Sequence, residues 1–386
     1  MINSFIKYSR ELFGEGSIPL HRPVFEGNER EYLIDCIDSN FVSSVGVKVA
    51  DFEDRVANFT GSKHAIATVN GTAALHIAFL LAGVKPGDEV ISQALTFIAT
   101  CNAISYAGAK PVFVDVDVDT MGLSPTSLQR FLESSVKKTS NGTFNKLSGK
   151  RISACVPMHT FGFPCRIKEI AEICDDWDIA LIEDAAESLG SYVASRHTGV
   201  FSSMATLSFN GNKVITTGGG GMIITDDSDL AYQAKHITTT SKIPHPYEFV
   251  HDEIGYNYRM PNLNAALGCA QMERLDEFLT IKAKLANQWG TFFDKNDVKF
   301  VRALDGDKAN HWLNTIVLKS KKDRDKFLNV TNDNGIMTRP IWTLMSKLSM
   351  FKDCQSDGLE NSLWLEDRVV NVPSSVPDGA LSKLAK

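Results

Sequence analysis

The sequence predicts an α/β fold built on a mostly parallel central sheet, with a smaller α/β unit toward the C-terminal end. Three observations predict it. Short β-branched runs alternate with helix-length stretches along the first part of the chain. Several of those runs end in Gly, Thr or acidic residues, the place where open α/β sheets bind ligands. A chain of 386 residues is also too long for one small core, which favours two domains.

The elements follow in order. A strand over 64–69 passes through Asn70-Gly71-Thr72 into an apolar helix over 72–82. A strand over 89–92 precedes a helix over 98–107, and one over 111–115 precedes a helix over 125–132. Residues 137–150 are polar, contain Asn141-Gly142 and Ser148-Gly149, and read as a loop before the strand at 151–156. The helix over 166–177 has Ile167, Ile170, Ala171 and Cys174 on one face, and a strand over 179–183 follows. Pro261 suits the first turn of a long helix with an apolar stripe from Leu263 and Leu267 to Leu275 and Phe278. A strand near 312–318 and helices near 323–330 and 361–368 complete the pattern. The boundary is expected in the long helix: residues 1–270, N-terminal segment included, form the large domain and 271–386 the small one.

Composition narrows the function. Lys plus Arg is 40 and Asp plus Glu is 46, a net charge of −6 with no basic run, which argues against a nucleic-acid partner. No apolar stretch reaches the roughly 18 residues of a membrane span. The first residues, with Lys7, Arg10, Glu11 and Glu15, do not read as a signal peptide. Seven cysteines, an odd number without CxxC spacing, indicate neither a disulfide framework nor a zinc knuckle and fit a cytoplasmic setting. No metal is expected: Asp115, Asp117 and Asp119 lack the Gly and Glu of a calcium loop, and His245 and His251 lack ligand periodicity.

Three segments carry chemistry. In Asn70-Gly71-Thr72-Ala73 a strand turns into a helix, so free N–H groups and the positive helix end converge on a site suited to a phosphate. In Ile182-Glu183-Asp184-Ala185-Ala186-Glu187-Ser188 the small residues leave room beside the acids, and Asp184 is placed to meet a cationic nitrogen. In Ser208-Phe209-Asn210-Gly211-Asn212-Lys213, followed by Gly218 to Gly221, a lone lysine has small uncharged neighbours and can form a Schiff base. A phosphate cradle, a buried aspartate and such a lysine are what pyridoxal 5'-phosphate (PLP) needs. Phe97, at the end of the next strand, is the candidate to stack on its ring.

Together these segments resemble the DegT/DnrJ group of nucleotide-sugar aminotransferases, which are fold-type-I, aspartate-aminotransferase-like PLP enzymes. The resemblance is carried by residues 18–32 and 70–90, IEDAAESLGS, SFNGNKVITTGGGGM, HDEIGYNYRMPNLNAALGCAQ and TRPIWTLM, which span nearly the whole chain. Within the group, it points to the branch of legionaminic-acid and related bacterial surface-sugar pathways.

The resemblance implies that Lys213 bonds the cofactor and that Asp184 pairs with its ring nitrogen. Gly71, Thr72 and Ser208 would hold the phosphate, and Phe97 would stack. Asn257 would reach the phosphate across a homodimer interface, so that active sites are shared. His159, Arg259, Arg339 and Trp342 match positions facing the nucleotide sugar or the amino donor. Glu187 stands where the commoner pattern has Gln or His near the cofactor's phenolic oxygen. His159-Thr160-Phe161-Gly162 departs from the common His-Leu-Tyr-Gly. The implied reaction moves an amino group from L-glutamate to C4 of a UDP-linked 4-keto-6-deoxy-N-acetylhexosamine. The alternatives are a 3-aminotransferase or dehydratase on the same fold, or a non-catalytic PLP-binding regulator. Lys213 argues against the dehydratase, since the relatives that remove the 3-hydroxyl carry histidine there.

Overall fold

The computed structural model describes residues 1–381. Its main sheet has seven strands: β1 (His64–Thr68), β2 (Glu89–Gln93), β3 (Lys110–Val114), β6 (Ile152–Val156), β7 (Ala180–Asp184), β10 (Met204–Ser208) and β11 (Gly221–Thr225). Their spatial order is β1-β11-β10-β7-β6-β2-β3, parallel from β10 to β3, with β11 antiparallel to both β1 and β10. Strands β2, β6 and β11 are buried at every position, as expected when helices cover both faces of a sheet. Those covering helices include α4 (Gly71–Leu81), α5 (Ile98–Tyr106), α6 (Pro125–Ser135), α7 (Ile167–Asp176) and α8 (Ser228–Thr238). Because β1 runs in the same direction as β10 and β7, the ends of all three strands open on one edge.

Two expectations are corrected here. Residues 137–150 are not a plain loop: β4 (Val136–Thr139) and β5 (Gly142–Asn145) form an antiparallel hairpin over a Ser140-Asn141 turn. Its cause is the alternation of Thr143 and Asn145, both buried, with more exposed neighbours. A second hairpin, β8 (Tyr192–Val193) with β9 (Arg196–His197), follows β7.

The long helix α9 (Asn262–Lys295) has 34 residues and runs unbroken through residue 270. Helices α2 (Glu29–Asp38) and α3 (Val47–Thr60) pack on its first half. Beyond it lies an antiparallel sheet ordered β12 (Lys299–Phe300), β13 (Asn314–Val317), β15 (Val369–Val372) and β14 (Arg339–Pro340), with α10 (Lys321–Asp333) and α11 (Glu360–Glu366). The N-terminal helix α1 (Ile2–Phe13) was expected with the large unit. It packs instead on the C-terminal one: Phe5 is buried among Trp289, Phe293 and Phe327, and Ile18 bridges to Ile336. An amphipathic helix goes where a matching apolar surface stands open, and here that surface is the aromatic face of α9.

Candidate active site

The edge where β1, β7 and β10 end carries a cavity of about 340 Å³, and the three chemical segments of the sequence meet there. Asn70 begins α4 by accepting the Ala73 N–H at 2.8 Å through its side chain, which leaves the Gly71 and Thr72 end of the helix facing the cavity. A Cβ on Gly71 would lie 3.1 Å from Ser208 Cβ, so glycine lets the helix start close to the end of β10. The same approach excludes a side chain at Gly221, whose Cβ would come within 2.4 Å of the Asn70 carbonyl.

Asp184 ends β7 and is 2% exposed. Its Oδ2 accepts from the Thr100 hydroxyl at 2.7 Å and its Oδ1 from the Ala186 N–H at 3.2 Å. Burial pushes the carboxyl up, and these two neutral donors favour the charged form. Among the described residues no cation forms an ion pair with it. A buried acid with neutral donors, no ion-pair partner and only the more distant Lys213 and His159 charges suits a ligand that brings its own positive nitrogen.

Glu187 is also buried, and its Oε2 accepts the Phe161 N–H at 2.9 Å while its Oε1 meets Lys213 Nζ at 3.2 Å. Burial raises Glu187 to about 7 against the pull of Lys213. Phe161 can point its N–H there because it adopts φ 57°, left-handed backbone that a bulky residue rarely takes. Lys213 Nζ lies 4.0 Å from the centre of the Trp312 ring, so the amine has a carboxyl on one side and a π face on another.

Gly71, Thr72, Phe97, Asp184, Glu187, Ser208, Lys213 and Trp342 thus line one cavity. Trp342 packs at 4.8 Å between ring centres on Phe161, and Phe97 stays 46% exposed. The other expected site residues lie outside this cavity. His159 is fully buried outside the cavity: its ring bonds Glu183 at 3.0 Å through Nε2 and accepts the Cys165 N–H at 3.2 Å on Nδ1. Its main-chain N–H meets the Asp184 carbonyl at 3.2 Å, so it supports the strand end that carries Asp184. Arg259 turns to the Ser44 carbonyl at 2.9 Å, and Arg339 to Asn332 and the Thr338 carbonyl, both away from the cavity. Asn257 is exposed and does not line the cavity of its own chain.

Sequence reasoning missed Met158, Asn210, Asn212 and Trp312, which also line the cavity. The two asparagines flank Gly211 beside the lysine and could have been weighed with it. Trp312, a hundred residues away, carries no local signal.

The residues present fit PLP. A helix N-terminus with a serine hydroxyl offers donors to a phosphate. A buried acid and an amine line the same cavity. The comparisons agree. A family model described as the DegT/DnrJ/EryC1/StrS aminotransferase family matches residues 23–377. The chain is 34% identical over 362 residues to GDP-perosamine synthase of Escherichia coli O157:H7, covering 92% of this chain and 93% of that one. It is 34% identical over 348 residues to GDP-perosamine synthase of Caulobacter vibrioides, with 89% of each chain covered. Among solved structures, Helicobacter pylori PseC, an aminotransferase involved in the biosynthesis of pseudoaminic acid, shares the fold at a TM-score of 0.84 and 19% identity, over 96% of this chain and 97% of that one.

Proposed function

The chain belongs to the DegT/DnrJ/EryC1/StrS aminotransferase family and is a PLP-dependent sugar aminotransferase, and from that premise we propose that it moves an amino group from L-glutamate to C4 of a nucleoside-diphosphate 4-keto-6-deoxy sugar. The observation that carries this reading is the meeting of Lys213, Asp184 and the Gly71-Thr72 helix start in one cavity. The sugar carrier is a UDP-linked N-acetylhexosamine in the reading the legionaminic-type resemblance supports. A GDP-linked sugar is the second reading, favoured by the GDP-perosamine synthases among the relatives.

Bound PLP supplies an aldehyde that joins amines covalently and a ring that accepts an electron pair. The protein's residues divide the remaining tasks. The N–H groups at the start of α4 and the Ser208 hydroxyl bind the phosphate. Asp184 would keep a proton on the ring nitrogen, since its buried carboxylate has no ion-pair partner among the described residues. Lys213 Nζ would anchor the cofactor and, as a free amine, would take the α-proton of the amino donor and later deliver one to the sugar carbon. Glu187 holds a shared proton beside Nζ and keeps the amine oriented. Phe97 and Trp342 present flat faces, the first to the cofactor ring and the second to the sugar substrate. Asn257, exposed on its own chain, reaches the phosphate of a second copy, which makes the working unit a homodimer. A cytoplasmic setting accompanies this reading: all seven cysteines are free, and among the described residues no helix is long and apolar enough to cross a membrane.

Borohydride reduction followed by peptide mapping tests the assignment. The label is expected on Lys213, and a label elsewhere or none at all overturns it. Lys213→Ala is expected to retain PLP without a covalent bond and to lose turnover by a factor of at least about 10⁴. Incubation with UDP-linked and GDP-linked 4-keto sugars and with a 3-keto sugar, read by product NMR, selects carrier and carbon. Amination of the 3-keto sugar alone defeats the C4 reading.

A further inference from the structure

Lys282 lies mid-way along α9 with 1% of its surface exposed. Its Nζ donates to two main-chain carbonyls, Ser374 at 2.6 Å and Trp312 at 3.3 Å. Among the described residues no carboxylate pairs with it. A buried ammonium without an anion is costly, and burial pushes Lys282 down to about 7. A neutral amine has two N–H groups, matching the two carbonyls it meets, whereas the ammonium has a third donor to satisfy.

The groups that face Lys282 bring no anion either. His21, from the N-terminal segment, is held low by burial and then by the Lys282 charge; its other neighbours are the Asn212 main chain and Lys213. His311, before β13, is pushed to about 4 by burial, Lys282 and Lys308. The Nδ1 atoms of both histidines are buried without a hydrogen-bond partner in the structure. Trp312 joins this cluster to the cavity: its indole N–H donates to the Asn212 carbonyl at 2.6 Å, and its ring lies 4.0 Å from Lys213 Nζ.

We propose that Lys282 is a positioning residue for the Lys213 amine. It ties the main chain of Trp312 to the C-terminal segment at Ser374, and so sets the indole ring against Lys213 and Asn212. The neutral form holds this arrangement. A proton gained as pH falls places a second cation near Lys213, His21, His311 and Lys308 and leaves one donor unsatisfied, so the ring shifts. The proposal rests on the assignment of Lys213 as the cofactor-bearing lysine, but its test needs no cofactor.

The test is the pH dependence of Trp312 fluorescence in the full-length, cofactor-free protein, taken as the difference between wild type and Trp312→Phe. With Glu187→Gln in both backgrounds, to silence its own titration near 7, a transition with a midpoint near 7 is expected where Lys282 is present, with a flat response in Lys282→Met. A transition that is the same in both proteins, or absent where Lys282 is present, overturns the proposal. Should Lys282→Met fail to fold, Lys282→Arg takes its place, since arginine keeps its charge; a surviving transition in that variant overturns the proposal as well. In the holoenzyme, Lys282→Met is expected to lower kcat about ten- to a hundredfold with KM for the amino donor unchanged. A change in KM alone counts against it. A missing borohydride label at Lys213 would strike the parent assignment instead and leave the Trp312 transition standing.

Discussion

At Glu187 one buried carboxyl meets the Lys213 amine across 3.2 Å at the wall of the cavity. Its ordinary value of 4.5 is raised to about 7 by burial, so between these pH values the folded protein keeps a proton that the unfolded chain has released. The stability this group contributes is therefore full below 4.5 and is lost as pH rises to about 7. Glu187→Gln cannot ionise, and it is expected to gain on the wild type through that window by on the order of 1–3 kcal/mol. Calorimetry at the two ends of the window checks this; a difference in Tm that does not change with pH contradicts it. Asp184 and Gly71 were legible in the sequence because each lies at or just beyond the end of an apolar strand, and Lys213 because its neighbours are small and uncharged; Ser208 came with the resemblance. Arg259 and Arg339 were not, since a long side chain can turn to any nearby carbonyl and spacing says nothing about which.

The elements that shape the site owe their positions to close contacts at a few small residues. Gly268 in α9 is one: a Cβ there would lie 2.7 Å from the Phe52 ring on α3. Alanine is the better helix former by about 1 kcal/mol, yet overpacking costs more in a joint this tight. Gly268→Ala is expected to destabilise the protein by a net of about 1–2 kcal/mol, read as a lower midpoint in denaturant. An unchanged midpoint would mean that the ring moves aside. Helix α4 shows the opposite economy, since one asparagine cap and one glycine set both its start and its distance from β10. The hairpin β4–β5 escaped the sequence reading because its polar composition masked an alternation only four residues long on each side.

On the scale of the whole molecule, the C-terminal unit supplies Trp312 and Trp342 to a cavity whose chemical groups all come from the main sheet. Sharing extends further if Asn257 serves a second copy. Lys213→Ala and Asn257→Ala, each inactive alone, are expected to regain about a quarter of wild-type activity when their chains are mixed and reassembled, because half the dimers then hold one intact site of two. No recovery on mixing, with mixed dimers shown by mass spectrometry, removes the shared site.

The sequence by itself determined the alternation of strands and helices and the three strand-end segments with their lysine, aspartate and helix start. Those features are written in periodicity and turn chemistry over windows of a dozen residues or fewer. Only the tertiary structure decided that α1 leaves the large unit for the aromatic face of α9, that His159 stands behind the cavity, and that Lys282 grips Trp312. Each of these depends on which buried surfaces and carbonyls lie open to residues distant in the chain, and no local window contains both partners of such a contact.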